Sequence, residues 1–272
     1  MPHLRSVSLK TPIDDARAEF PFSVPAVRAL GTLTFETPVT FFAGENGSGK
    51  STVLEAIAAA VGSPAVGRDD VAHDDSLDAQ RTLGRALRLA WSKRTPRGFF
   101  LRAEDFFNYA KRVQQLKQEM RARAAALDEE YDRLGRSAYA KGLAMGPLLG
   151  SAHAMEARYG DIDARSHGQG FLAMFESRLV PGGLYLLDEP EAALSPQSQL
   201  ALIAMMADLV KQDAQFIVAT HSPILLAYPG ARVLSFDELP VRAVAFEELE
   251  HVKLTRDFLG DPMRYLRHLV GE

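Results

Sequence analysis

No cysteine occurs in the 272 residues, which excludes disulfide bonds and thiolate catalysis. Long apolar runs are missing too. Neither the opening MPHLRSV nor any later stretch has the length of a signal peptide, or the roughly 20 apolar residues of a membrane span. The expectation is a cytoplasmic protein with no direct membrane insertion. Internal repeats and low-complexity tracts are absent, and so is a large excess of one charge. The formal net charge of -4 says little about partners, so the distribution of charge has to be read instead. What the chain does have is 47% hydrophobic residues. That is enough to bury a full core, and it suits one large α/β domain over residues 1–272, or one domain carrying an insertion.

The strongest local order is PVTFFA, Pro38 to Ala43, a short apolar run rich in β-formers that reads as a buried strand. GENGSGKST follows at once, from Gly44 to Thr52. It matches G-x-x-x-x-G-K-[ST] in full, and LEAIAAAV behind it supplies the helix such a loop requires. Gly44, Gly47 and Gly49 let the backbone turn tightly, so that successive amides over Glu45, Asn46, Gly47, Ser48 and Gly49 face a phosphate. The helix N-terminus adds favourable partial charge. Lys50 would bring a point charge to the β- and γ-phosphates, the Ser51 hydroxyl would ligate Mg²⁺, and Thr52 would lie near the α-phosphate. ATP with Mg²⁺ is the expected ligand.

A second apolar strand, GGLYLLDEPEAAL from Gly182 to Leu194, ends in adjacent acids, Asp188 and Glu189, before Pro190. A carboxylate at the end of a buried strand next to the P-loop strand can hold Mg²⁺. Its neighbour, turned toward the phosphate, can orient or deprotonate an attacking water. Asp188 is therefore expected as the metal-side acid and Glu189 as the catalytic one.

LLDEP, followed by the strand AQFIVAT (Ala214 to Thr220) and then His221-Ser222-Pro223, resembles the ABC-type ATPases. The likeness is to their soluble, non-transporter members, similar to the heads of SMC and RecF-like proteins. The resemblance implies an α/β P-loop NTPase of ABC type, with a mixed central sheet flanked by helices, a helical insertion and an antiparallel β edge. It further implies ATP hydrolysis in a site completed when two copies form a homodimer around nucleotide. His221 fits the family's switch histidine, which hydrogen-bonds the γ-phosphate and suits an imidazole titrating near neutrality. The signature segment maps onto Ser166-His167-Gly168-Gln169-Gly170, just ahead of the apolar helix FLAMFESRL. Ser166, Gly168 and Gln169 would there cap the partner subunit's nucleotide; His167 departs from the family's small residue.

Two other positions depart from the family. Glu104 follows the strand GFFLRA where transporters place a magnesium-contacting glutamine, so it reads either as a metal contact or as an acid at a helix start. Ser195 stands where many relatives carry aspartate. Tyrosine to stack on adenine is lacking ahead of the P-loop, which leaves Arg5 and Phe22 as candidates.

From Glu104 to Leu134 no Pro or Gly occurs, and Phe106, Tyr109, Val113, Leu116 and Met120 recur at alternating three and four spacing. This predicts one long helix with an apolar seam that packs on its own domain or on a partner, opening a helical insertion over 104–165. Arg81 to Arg123 holds 12 Lys and Arg against 3 Asp and Glu, whereas Arg68 to Asp78 holds five Asp against one Arg. The basic stretch reads either as a nucleic-acid footprint or as a solvated face neutralised by that acidic loop. The competing biological uses are DNA maintenance or defence, a membrane transporter's ATP-binding subunit, and a switch acting on a protein partner. LRSVSLK and GTLTFE read as antiparallel strands, ARVLSF and VRAVAF as a strand pair closing the sheet, and Glu248 to Leu269 as one terminal helix packed on the core. Gly135 to Gly150 reads as a loop, and Gly62 to Ala79 as a mobile one.

Overall fold

The computed structural model of the chain describes residues 1–13, 19–65, 78–159 and 167–270. In chain order the first elements are β1 (Leu4–Leu9), α1 (Pro25–Arg28), β2 (Leu33–Thr34), β3 (Val39–Ala43), α2 (Lys50–Val61), α3 (Asp78–Ala86), β4 (Leu87–Trp91) and β5 (Gly98–Arg102). Three helices follow, α4 (Ala103–Arg133), α5 (Ala138–Tyr159) and α6 (His167–Arg178). The remainder comprises β6 (Leu184–Asp188), α7 (Pro196–Val210), β7 (Gln215–Ala219), α8 (Pro223–Leu226), β8 (Arg232–Ser235), β9 (Arg242–Val244), α9 (Glu250–Gly260) and α10 (Pro262–Leu269).

The strands form two sheets. A six-stranded one runs β5-β6-β7-β3-β8-β9, parallel except for the antiparallel edge strand β9. A three-stranded antiparallel one runs β2-β1-β4. Strands β3, β6 and β7 are buried at every position, as expected of parallel strands covered on both faces. The two-residue period sorts their side chains. Phe41, Tyr185, Leu187, Phe216 and Val218 pack toward Phe171 and Phe175 of α6 and Leu202 and Met206 of α7. Phe42, Leu184, Leu186 and Ile217 pack on the other face with Val53, Leu54 and Ile57 of α2 and with Leu4 and Val7 of β1. Each such side chain contributes roughly 1.5–3 kcal/mol of burial. Gln215 ties the sheets together: its buried amide accepts from Leu4 N–H at 2.8 Å and donates to Leu4 C=O at 2.9 Å, in place of a neighbouring strand.

Three expectations change. The Asp188 strand is not next to the P-loop strand, because β7 lies between β6 and β3. The loop expected over 135–150 is confined to 135–137: Ala138–Tyr159 is helical despite Gly142, Gly146, Gly150 and Pro147. Packing along α4 overrides their poor propensity. Ser137 caps α5 by accepting from Ala140 N–H, and Lys141 bridges Asp128 and Asp132 across the hairpin. The terminal helix is two helices. It breaks where Asp261 leaves helical geometry, accepts from Arg264 N–H and leads into Pro262, and most of α10 is exposed instead of packed on the core. Of the α4 seam, the side chains of Phe106, Tyr109 and Val113 lie outside the described residues, Leu116 is 38% exposed, and Lys117 and Ala124, two turns apart, are buried. Residues 66–77, with most of the acidic run, lie outside the described residues.

Candidate functional site

The C-terminal ends of β3, β6 and β7 meet at one edge of the parallel sheet, where open α/β sheets bind ligands. The loop from Gly44 to Gly49 rises from β3 and runs directly into α2 at Lys50. Gly49, at φ 97°, occupies the left-handed region, and a Cβ there would meet Val24 and Ala26 at 2.9 and 3.0 Å, so no larger residue fits. Gly47, at φ 84°, turns the loop in the same left-handed sense, with open space around it.

Lys50 is 3% exposed, and its Nζ donates to the carbonyls of Gly44 and Glu45 at 2.6 and 2.7 Å. Those carbonyls hold the ammonium where phosphate oxygens would compete for it. Burial lowers the Lys50 pKa below the ordinary lysine value, against the pull of Glu189, Asp237, Asp188 and Glu191. The loop is also gripped from behind, since the Asp237 carboxylate accepts from Glu45 N–H at 2.6 Å.

Although β7 separates their strands, Ser51 and Asp188 meet: Ser51 Oγ donates to Asp188 Oδ1 at 2.9 Å. The first turn of α2 leans over the end of β7 to reach it. A cavity of about 320 Å³ opens beside them, lined by Ser51, Glu55, Arg102, Asp188 and Glu189. Burial, Glu55 and Glu189 push the Asp188 carboxyl up to about 7, against the Ser51 hydrogen bond and Arg102. Arg102, at the end of β5, forms an ion pair with Glu55, one turn into α2. Among the described residues no cluster of three or more His, Cys, Asp or Glu could hold a metal on its own. The pair fits Mg²⁺ all the same, because that ion is commonly held by one or two protein oxygens together with phosphates and waters. A carboxyl raised by burial and by neighbouring carboxylates is a group that a divalent cation would ionise.

Glu189 sits in the left-handed region at φ 47°, an uncommon conformation for a residue with a Cβ and a kind of strain that collects at functional sites. Its N–H donates to Ala219 C=O across the sheet, and its side chain, 35% exposed, reaches His221 Nδ1 at 3.8 Å. His221 follows the end of β7. The Ser222 hydroxyl just after it caps α8 and donates to Gln199 Oε1 at 2.5 Å.

Glu45, Asn46, Ser48 and Thr52 all lie along the same loop and first helical turn, and a shallow hollow there is shared by Asn46, Gly47, Gly49, Lys50, Ser51, Thr52 and Glu189. Phe20, 57% exposed, and Val24 form its outer wall. Neither earlier candidate for an adenine-side contact stands there: Arg5 lies on β1 beside Thr34 and Trp91, and Phe22 packs on the core. The signature segment is expected at the nucleotide of a second copy, not at this chain's own. Ser166 lies outside the described residues, and Gly168 and Gln169 fall inside α6, which begins at His167 and not after Gly170. Glu104 lies in the first turn of α4, its side chain outside the described set. Reading the sequence missed Glu55, Arg102, Glu191 and Asp237. Only Glu191, inside the DEPEAAL run, had a local signal.

Two family models match the chain. One, described as "AAA domain", covers residues 27–89 and so includes the whole P-loop. The other, described as "AAA domain, putative AbiEii toxin, Type IV TA system", covers 170–227 and so includes Asp188, Glu189 and His221. In both stretches the chain resembles AAA domains. Each model covers less than half of the chain; together the matched stretches hold both halves of the site and leave out the α4–α5 hairpin. No curated protein matches it. Among solved structures it is similar to a nucleotide-free ATP-binding cassette from an ABC transporter, at 16% identity over all of both chains and a TM-score of 0.45. It is also similar to cbiO1 of the Clostridium perfringens cbiONQ transporter complex, at 17% identity over 89% of this chain and 91% of that one, TM-score 0.44. The Pyrococcus furiosus Smc head domain bound to the C-terminal domain of ScpA is similar at 12% identity over 95% and 100%, TM-score 0.43. No described helix is long and apolar enough to cross a membrane.

Proposed function

We propose that the chain binds ATP with Mg²⁺ and hydrolyses it to ADP and phosphate, as a single ABC-type domain over residues 1–272 with 104–165 as a helical insertion. The observation that carries this reading is the Ser51–Asp188 hydrogen bond, with Glu189 bordering the cavity beside it and Lys50 the neighbouring hollow that Ser51 and Glu189 also line. Lys50 leaves the Gly44 and Glu45 carbonyls for the phosphates, a short exchange of acceptors. The loop amides from Glu45 to Gly49 and the start of α2 supply further donors. Ser51 and Asp188 would hold Mg²⁺, which would supply positive charge against the phosphate oxygens. Glu189 orients the attacking water and takes its proton, and His221 hydrogen-bonds the γ-phosphate.

In this reading the site is finished by a second copy, whose Ser166, Gly168 and Gln169 close over the nucleotide. Retention of labelled ATP with magnesium, followed by phosphate release, tests the core of the proposal, and Lys50→Ala should abolish retention. Glu189→Gln should accumulate an ATP-bound dimer by light scattering; turnover by that variant at the wild-type rate would remove the glutamate from the mechanism. We assign the cycle to a non-transport process, DNA maintenance or defence, in the cytoplasm. Supporting it, Arg85, Arg88, Arg94, Arg121 and Arg123 of the basic stretch are exposed, as phosphate-neutralising residues must be. Undetectable binding to duplex DNA at low salt with ATP present would set the DNA assignment aside in favour of a protein partner.

A further inference from the structure

We infer that Glu191 is the positioning residue for His221: it fixes the backbone at the end of β7 and faces the imidazole Nδ1, leaving the other ring nitrogen for the nucleotide. This rests on the role proposed above for His221. Glu191 lies in the single tight turn Pro190–Ala193 that follows the acidic pair, and its side chain is only 6% exposed. One carboxylate oxygen, Oε1, accepts from the Thr220 hydroxyl at 2.5 Å and from His221 N–H at 2.9 Å, and lies 3.5 Å from His221 Nδ1. The other oxygen, Oε2, is buried and has no hydrogen-bond partner among the described residues.

A carboxylate is a poor choice for a purely structural acceptor at this place. An amide oxygen would serve Thr220 and His221 equally well without burying a formal charge that is only half satisfied. A negative charge does have a use beside an imidazole, because a ring protonated on both nitrogens can turn Nδ1–H toward a carboxylate while Nε2–H donates to a phosphate oxygen. Two carboxylates face Nδ1 here, and they differ in freedom. Glu189 is 35% exposed and must turn toward water to do chemistry, whereas Glu191 is held in place by two donors. With Ser222 separately fixed to Gln199, the backbone on both sides of His221 is anchored, and the ring is the part left to orient.

A double-mutant cycle on steady-state ATP hydrolysis tests this. Glu191→Gln keeps an acceptor for Thr220 and His221 N–H but removes the charge. It should lower kcat by about ten-fold or more, with KM for ATP changed by less than about two-fold. In the His221→Ala background the same change should have no further effect. Wild-type kcat for Glu191→Gln, while His221→Ala is impaired, overturns this inference alone, as does an additive loss in the double variant. Wild-type turnover by His221→Ala overturns both this and the role of His221. Should Glu191→Gln fail to show a cooperative thermal transition, Thr220→Val removes one of the two donors to the carboxylate. That variant is expected to lose less kcat, again only when His221 is present, and an unchanged kcat overturns the inference.

Discussion

At the loop end of the parallel sheet, polar groups are packed as tightly as core: Lys50 is 3% exposed, Asp188 8% and Thr220 0%. Along the α4–α5 hairpin the pattern is inverted, with Tyr139 81%, Leu143 62% and Leu149 44% exposed. In the first region the buried Lys50, Asp188 and Thr220 are each hydrogen-bonded to neighbours, so a charge can be kept where it is electrostatically unfavourable. In the second, shape follows from helix geometry and one packing partner, so side chains are held by little beyond their own helix. Chemistry needs the first kind of surroundings, because pre-set groups need not reorganise during the reaction.

The contrast can be broken most sharply at Asp188. Asp188→Asn should reduce magnesium-dependent ATP turnover by a factor on the order of 10³, the scale of losing a dominant electrostatic contact. The same change should stabilise the nucleotide-free protein at pH 8. A carboxyl raised from 3.8 to about 7 is better protonated in the folded chain than in the unfolded one. Its unfavourable effect is therefore absent below about pH 4, grows as pH rises through that window, and is fully present above 7. Thermal melts of wild type and variant should diverge by up to about 4 kcal/mol at pH 8 and converge toward pH 4. A variant less stable than wild type at pH 8 would contradict the strained-carboxyl account.

Packing gives the next largest effect. Phe41→Ala, within the P-loop strand, should cost about 3–5 kcal/mol in denaturant unfolding, whereas Leu143→Ala on the hairpin should stay within about 0.5 kcal/mol. Equal losses at the two positions would mean that the hairpin face is covered in solution. Glycines sharpen the comparison further. Gly49→Ala forces a side chain into a left-handed residue and against Val24 and Ala26, and should destabilise by about 1–3 kcal/mol with loss of ATP retention. Gly142→Ala, with nothing within 4 Å of the new methyl and a helical backbone, should stabilise by about 0.5–1 kcal/mol and leave turnover unchanged.

Much of the first region was legible in the sequence because its signals are local. The GENGSGKST loop carries its own turn, charge and hydroxyl within one segment, and strands β3, β6 and β7 are continuous apolar runs ended by polar residues. The second region was legible only in part. The long α4 follows from a run without Pro or Gly, but α5 was hidden, since its glycines and Pro147 are poor helix formers and only contact with α4 outweighs them. The broken terminal helix was visible in Asp261 and Pro262, and the apolar period running through them obscured it.

From the sequence alone came a strand–loop–helix for phosphate, an acidic strand end and a histidine after a third strand, because each depends on residues adjacent in the chain. Tertiary structure decided the order of those strands, with β7 between the other two, and so the bridge from Ser51 to Asp188. It alone supplied the pairing of Glu55 with Arg102, the grip of Asp237 on the loop and of Glu191 on His221. Those contacts join residues from 30 to 192 positions apart, and such distant partners are chosen by how layers pack, a choice to which local propensity and short-range pattern are blind.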